Sequence, residues 1–344
     1  KLREIKMRNR KPFAVMFPSI DRLRDFASVS PAERDLLLSP ARPIVLLSAG
    51  RSHFERYVSG ESMYLGAFLP NTGLHKILTD SCGPLIVTSG NISDEPMSFR
   101  DEDYFRHEFN AVEGVLYNKR RILTPMDDSV TRVINNKPQM IRRARGYVPI
   151  PVITEYEAPK NVLAVGGDLK AAFAISRGHR IILSQYFGDM ESYEVMTNYK
   201  EAVSRMEKLY SFTPAVIVAD KHPLYNSTMY ARSYAEKNGI KIVTVQHHHA
   251  HIASVMAEYS LNHCIGVAFD GTGYGTDGTV WGGEFLRCRG AKYERMSHIE
   301  PVVLAGGDSA ARDAKQTAEC IKIAAGIEST NETLKAAIEN NIGT

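Results

Sequence analysis

Cysteine is scarce in this chain of 344 residues: Cys82, Cys264, Cys288 and Cys320 are the only four, and no two form a C-x-x-C pair. That spacing disfavours a zinc finger or a disulfide framework and fits a reducing cytosol. No run approaches the roughly 18 apolar residues that a membrane span needs. The N-terminus is basic and lacks an apolar h-region, so it does not read as a signal peptide. A G-x-x-x-x-G-K-[ST] sequence is missing, which excludes a Walker loop. Charge of one sign is also short. The net value of +3 is too small to argue for nucleic acid by itself, although basic residues bunch at 1–11 and 142–145 and leave local anion binding open.

What is present is ordinary globular material, 44% apolar and 24% charged, over a length that favours about two domains. After a charged helix-like start, apolar stretches at 13–17, 43–47, 64–69 and 84–88 read as strands, while 74–79 and 31–38, the latter opened by Ser30 and Pro31, read as helices. Residues 114–117 and 129–134 complete the alternation. A mixed α/β fold with a twisted sheet is expected. Residues 149–160 are proline-rich and without periodicity, so they read as a linker between domains at 1–148 and 161–344. Beyond it the pattern predicts strand, glycine turn, strand, turn and strand over 161–185. A long amphipathic helix follows at 192–209, then a strand at 215–219, a helix at 227–238 ending on Gly239, and a strand at 240–245. Two stretches, 163–183 and 264–287, share a loose hairpin plan in which an apolar strand meets a turn rich in glycine and aspartate. The turns are Gly166-Gly167-Asp168 and Asp270-Gly271-Thr272-Gly273.

The chemistry concentrates in 243–284. Four histidines, His247, His248, His249 and His251, precede an apolar stretch that can form a helix. On a helix His247 and His251 share one face at i, i+4, which suits two ligands of one zinc or ferrous ion. His249-x-His251 is a second possible pair. A third protein ligand is required, and Asp270 is the nearest plausible carboxylate. The loop DGTGYGTDG has more glycines than a plain hairpin needs, and its exposed N–H groups could cradle phosphate oxygens. Thr276-Asp277-Gly278 also fits a type I′ hairpin. In the first half, Lys6, Arg8 and Lys11 put three cations on one helix end or its exit, a cluster that gains interest when joined with Ser89-x-Asn91 after a buried strand and with Arg142, Arg143 and Arg145 at the domain end. Such donors would suit the phosphates of ATP or an acyl-adenylate.

These residues sit in a longer series of matches. LREIKMRNRKPFAVM, RPIVLL, LGAFLP, LIVTSGNISDEPM, DDSVTRV and RRARGYVP resemble the YrdC-like domain of the hydrogenase maturation carbamoyltransferases, the HypF family. VLAVGGDLKAAFAI, SQYFGDM, DKHPLYNST, VQHHHAH, FDGTGYGTDGTVWGGEF and GGDSAARDA resemble the transferase domain that follows it. The resemblance implies an α/β protein: a YrdC-like twisted α/β domain followed by the first lobe of an actin-like ATPase fold. It implies that carbamoyl phosphate and ATP, with Mg2+, yield a carbamoyl-adenylate. The carbamoyl group then passes to the C-terminal cysteine of a HypE-like partner, toward the cyanide ligands of [NiFe]-hydrogenase. By motif, Lys6, Arg8, Ser89, Asn91 and Arg143 would bind ATP and carbamate. The likeness to the threonylcarbamoyl transferase of tRNA modification selects His247 and His251 as ligands of Zn2+ or Fe2+. It makes Asp270 a phosphate-loop residue and a metal ligand, with Gly271, Gly273, Gly306 and Gly307 as nucleotide contacts. A labile adenylate would call for sites that share a closed, water-free space.

Departures from the pattern carry expectations of their own. Asn71-Thr72-Gly73 stands where Tyr-Thr-Pro is usual and is expected to loosen a loop near the substrate. Arg312-Asp313-Ala314-Lys315 replaces an Arg-Glu-Pro run and bears on contacts near Gly306-Gly307-Asp308. Both ends read as cut, without the family's acylphosphatase-like and zinc-finger segments or the second lobe, so little complete turnover is expected of the isolated chain. Two rival functions follow from the same halves: a fused tRNA threonylcarbamoylation enzyme, and an RNA-binding module without turnover, against which the low net charge speaks. A cytoplasmic protein with no membrane association is expected.

Overall fold

The computed structural model describes residues 1–8, 11–49, 57–60, 62–91, 97–106, 112–307, 310, 313–329 and 331–340. They fall into two compact units. One comprises Lys1–Ile153, Glu157–Ala219 and Tyr225–Ile242; the other comprises Thr154–Tyr156, Asp220–Leu224 and Val243–Thr344.

The first sheet is built from β1 (Ala14–Met16), β2 (Ile44–Ser48), β3 (Tyr64–Phe68), β4 (Leu85–Val87), β5 (Val130–Ile134) and β6 (Lys137–Arg142), in the order β4-β1-β3-β2-β5-β6. Pairs β1/β3 and β2/β5 are parallel and the others antiparallel. Residues of period two fill its core: Val15, Val45, Leu47, Leu65 and Ala67 are fully buried, with Phe13, Phe17, Leu23 and Leu37 around them. Helix α1 (Leu2–Ile5) opens the chain and α2 (Ile20–Arg24) follows β1. Helix α3 (Pro31–Leu38) starts on a capping box. Ser30 Oγ accepts from Glu33 N–H, and the Glu33 carboxylate accepts from Ser30 N–H at 2.8 Å. Helix α4 (Gly73–Cys82) starts at Asn71-Thr72-Gly73, where Thr72 Oγ1 accepts from His75 N–H at 3.2 Å. An ordered cap therefore replaces the looser loop expected there. Residues 114–117, expected to continue the alternation, follow α5 (Asp101–Arg106) as irregular chain.

The stretch 149–160 is not a linker in backbone terms. β7 (Val152–Ala164) occupies most of it and pairs antiparallel with β8 (Ala174–Leu183), with register shifts between Ile153 and Ala158 and between Ala158 and Val162. Pro159 falls inside the second irregularity, where no ladder N–H is required of it. Strand β8 is also one strand rather than two. Gly178, at φ +56°, lets the chain continue through Arg177-Gly178-His179 without turning back. β9 (Val216–Asp220) and β10 (Lys241–Val245) complete the order β10-β9-β7-β8. Helix α6 (Tyr193–Leu209) buries Tyr199, whose hydroxyl donates to Val165 O at 2.7 Å. Helix α7 (Asn226–Asn238) ends on Gly239 in the left-handed region.

Helix α8 (His247–Glu258) carries the histidines and packs Ile252 and Met256 against Ala268, Leu286 and Cys288. The last three belong to a sheet of β11 (His263–Ala268), β14 (Glu284–Arg289) and β15 (Lys292–His298), with the two-stranded hairpin β12 (Gly273–Tyr274) and β13 (Val280–Trp281) between β11 and β14. The returning strand thus begins at Glu284 rather than near Gly278. A Cβ on Gly266 would lie 2.4 Å from Ile252 Cδ1, so a glycine there lets the histidine helix approach β11 closely. The tip of the small hairpin is not type I′. Only Gly278 has positive φ, and its N–H bonds to Gly275 O, so a type I turn leads into a left-handed glycine. Gly273, Gly275 and Gly278 happen to spell G-x-G-x-x-G, but in a hairpin with no helix after it, which excludes a dinucleotide fingerprint. Two more helices, α9 (Ala314–Ala324) and α10 (Glu332–Glu339), pack through Cys320 and Leu334. Leu286 is wholly buried in the core beneath the histidines. Leu286→Ala should cost about 2–5 kcal/mol, seen as a lower urea midpoint for the unfolding of this unit.

Candidate functional site

The metal-type group lies entirely in the second unit. Strand β10 ends at Val245, and Gln246 caps α8 by accepting His249 N–H at 2.9 Å. The first helical turn then presents His247 and His251 on one side. His247 Nε2 is 2.9 Å from Asp270 Oδ2, His251 Nε2 is 3.2 Å from the same oxygen, and the two Nε2 atoms are 3.3 Å apart. Asp270 stands two residues beyond the end of β11.

This convergence fits a cation. Two N–H groups pointed at each other across 3.3 Å repel, whereas two imidazole lone pairs can share one ion. A tetrahedral ion bound at about 2.0–2.2 Å separates its ligand atoms by about 3.3–3.6 Å, at or just above the 2.9, 3.2 and 3.3 Å found. Among the described residues, His247, His251 and Asp270 are the group of three or more such side chains whose ligand atoms all converge on one another.

A fourth residue fixes the geometry, and sequence reasoning missed it. Asp220, at the end of β9, accepts a hydrogen bond from His247 Nδ1 at 2.7 Å, and its other oxygen accepts His222 N–H at 2.8 Å. That holds the His247 ring with Nε2 toward Asp270, the carboxylate–histidine arrangement common at metal sites. Hydrogen bonding to Asp220, then to Asp270, raises His247 to about 9. The bonds from His247 and His251 hold the Asp270 carboxyl far below the usual carboxylate range. Metal capture here must displace protons. Asp220→Asn should keep the fold and weaken zinc or cobalt binding about 10–100-fold, as measured by competition with a coloured chelator.

The neighbouring histidines do other things. His249 stacks on Tyr293 with centroids 4.7 Å apart and is buried, so the His249-x-His251 pair is not used. His248 is fully buried between Gln246 and the Asp270 carbonyl. Burial pushes both below the ordinary histidine value.

Gly273 brings the glycine loop onto the histidine helix: a Cβ there would lie 2.6 Å from His248 Cε1 and 3.0 Å from His247 Cβ. Gly282 is equally confined, since a Cβ there would lie 2.4 Å from the Gly271 carbonyl oxygen, whereas a Cβ on Gly271 would meet open space. The loop is braced by Arg295, whose guanidinium binds the buried Glu284 at 2.6 and 2.8 Å and stacks 4.0 Å from the Trp281 ring. Gly306 and Gly307 form a left-handed turn, with Gly307 N–H bonded to Leu304 O. Asp308 and Arg312 lie outside the described residues.

In the first unit, three predicted residues meet. Lys6 is 5% exposed, and its ammonium donates to Ser89 O at 2.7 Å, to Asn91 Oδ1 at 3.2 Å and to Asn91 O. Burial lowers the Lys6 value, and the Arg8 charge lowers it further. Arg8 lies over the Phe13 ring at 4.9 Å and donates to Pro12 O. Arg143 is engaged with its own turn, donating to the carbonyls of Tyr147 and Ile150 at 3.1 and 3.2 Å.

Residues 1–144 match the family described as "Telomere recombination", which covers Sua5, YciO and YrdC sequences. Residues 157–258 match "HypF Kae1-like domain", and 266–342 match "Carbamoyltransferase, Kae1-like Domain, second subdomain". "Carbamoyltransferase HypF" of Synechocystis is 38% identical over 90% of this chain and 40% of its own length. The Rhizobium leguminosarum protein of the same name is 36% identical over 91% and 42%. A crystal structure of full-length HypF in its phosphate- and nucleotide-bound form superposes with a TM-score of 0.91 at 36% identity, covering 99% of this chain and 46% of that one. The T. kodakarensis HypF structure gives 0.84 at 38% identity, over 90% and 41%. The chain therefore spans less than half the length of these relatives.

Proposed function

This chain belongs to the HypF family, and we propose that it carries the adenylate-forming and carbamoyl-transfer parts of an ATP-dependent carbamoyltransferase. On this reading residues 1–148 form the YrdC-like domain, which makes carbamoyl-adenylate from carbamoyl phosphate and Mg2+-ATP. Residues 161–344 belong to the transferase domain, and 149–160 connect the two. The acceptor is the C-terminal cysteine of a HypE-like protein. Its thiolate attacks the carbamoyl carbon, the C–O bond to the adenylate breaks, and AMP leaves. The thiocarboxamide so formed would feed cyanide-ligand synthesis for [NiFe]-hydrogenase.

The observation that carries the proposal is the meeting of His247, His251 and Asp270 beside the glycine loop. Those three would hold Zn2+ or Fe2+, which supplies a Lewis acid when bound. Asp270, Gly271 and Gly273, with Gly306, would offer backbone N–H groups to nucleotide phosphates, and Gly307, whose N–H is bonded to Leu304 O, would shape that turn. Lys6 holds the Ser89–Asn91 turn in shape for ATP and carbamate, and Arg8 and Arg143 would add positive charge. The four thiols are free and no helix of the described residues is long and apolar enough to cross a membrane, which supports a cytoplasmic setting.

Carbamoyl-phosphate-dependent ATP–pyrophosphate exchange by the full-length protein tests the proposal. Exchange with carbamoyl phosphate is expected. Exchange only with threonine and bicarbonate would replace this reading by tRNA threonylcarbamoylation. Salt-sensitive RNA binding without exchange would replace it by an RNA-binding module.

A further inference from the structure

We infer that Gln246 and His248 form a hydrogen-bonded latch that positions Asp270 against His247 and His251; the inference rests on the metal reading above. Both side chains are sealed from solvent, at 1% and 0% exposure. Their roles follow from which atoms can donate. Gln246 Oε1 is committed, because it accepts His249 N–H at the helix start. The other end of the amide is therefore the NH2 group, which can only donate. It faces His248 Nδ1 at 3.2 Å and Tyr274 O at 3.4 Å. His248 Nδ1 must accept, so the ring proton sits on Nε2. That nitrogen faces the carbonyl oxygen of Asp270 at 3.3 Å, which can only accept.

Every link has one direction. The series runs from His249 N–H to Gln246 Oε1, from Gln246 Nε2–H to His248 Nδ1, and from His248 Nε2–H to Asp270 O. It joins the first turn of α8 to the peptide that carries the Asp270 carboxylate, and a side branch holds the Tyr274 carbonyl in the glycine loop. Both nitrogens of His248 are spent, so it is not a ligand. Gly273 leaves room for it, since any Cβ there would collide with His248 Cε1. The three consecutive histidines thus divide the work: His247 faces the metal position, His248 positions Asp270, and His249 fills the core against Tyr293.

Nitrogen-15 NMR of the full chain, without metal, reads the tautomer directly. The latch requires His248 protonated on Nε2 and bare on Nδ1. Two variants then probe its effect on the metal group. Gln246→Glu retains an oxygen to cap His249 N–H but replaces the amide donor with an acceptor, so Nδ1 of His248 should gain a proton. His248→Phe keeps a planar aromatic ring, somewhat larger than imidazole, and removes both bonds. Each variant should bind Co2+ about 10–100-fold more weakly than the unaltered chain, with a changed visible absorption spectrum for the bound ion. An Nδ1–H tautomer in the unaltered chain would overturn the inference, as would unchanged Co2+ affinity and spectrum in both variants. Should a variant fail to fold, the tautomer in the unaltered chain decides. Absence of Co2+ binding by the unaltered chain with His248 in the expected tautomer would sink the metal reading and leave the latch standing.

Discussion

Replacing both His247 and His251 by alanine should leave the protein without bound zinc or iron by elemental analysis. The pair supplies both nitrogen donors of the three-residue group, and one carboxylate from Asp270 cannot retain an ion by itself. The two positions differ in structural cost. His251 is 58% exposed on its side chain, so His251→Ala should barely change stability. His247 partners the buried Asp220, and its loss removes the hydrogen bond to one oxygen of that carboxylate at a cost of about 1–3 kcal/mol. His251→Ala is therefore the cleaner probe of metal binding. In the metal-free protein, the raised value of His247 contributes stability that is complete below the ordinary histidine range and lost as pH rises through about 9. Metal affinity should move the opposite way and strengthen over that interval, because fewer protons compete.

Lys6→Met should reduce pyrophosphate exchange about 100–1000-fold. The Lys6 ammonium spends its donors on Ser89 O, Asn91 O and Asn91 Oδ1, all on the turn after β4. Methionine would fill the space and leave three acceptors without their cation. Lys6→Arg should not rescue the activity, because a planar guanidinium cannot reproduce the three-way geometry of an ammonium in a space this enclosed. Exchange that survives in Lys6→Met would remove Lys6 from adenylate formation.

The parts of the fold and site that were legible in the sequence are those with local signatures. His247 and His251 are four apart on a helix whose apolar face is plain in Ile252 and Met256, and Asp270 follows an apolar strand. Asp220 was not legible as a partner of His247, because 27 residues and a whole helix separate them. A signal existed, since Asp220 ends a buried strand much as Asp270 follows one. The strand within 149–160 is not legible because Pro159 and the absence of periodicity hide a pairing that continues through two irregularities. The hairpin tip was misread because Asp277-Gly278 suits type I′ when glycine is the second central residue, while here it is the position after the turn.

Which residues hold the metal is best settled by diffraction from the cobalt-loaded protein at the cobalt absorption edge. The account predicts one anomalous peak bonded to Nε2 of His247, Nε2 of His251 and a carboxylate oxygen of Asp270, with Asp220 on the far side of the His247 ring. A peak coordinated by His248 or His249, or cobalt bound at other residues with these three free, would contradict it.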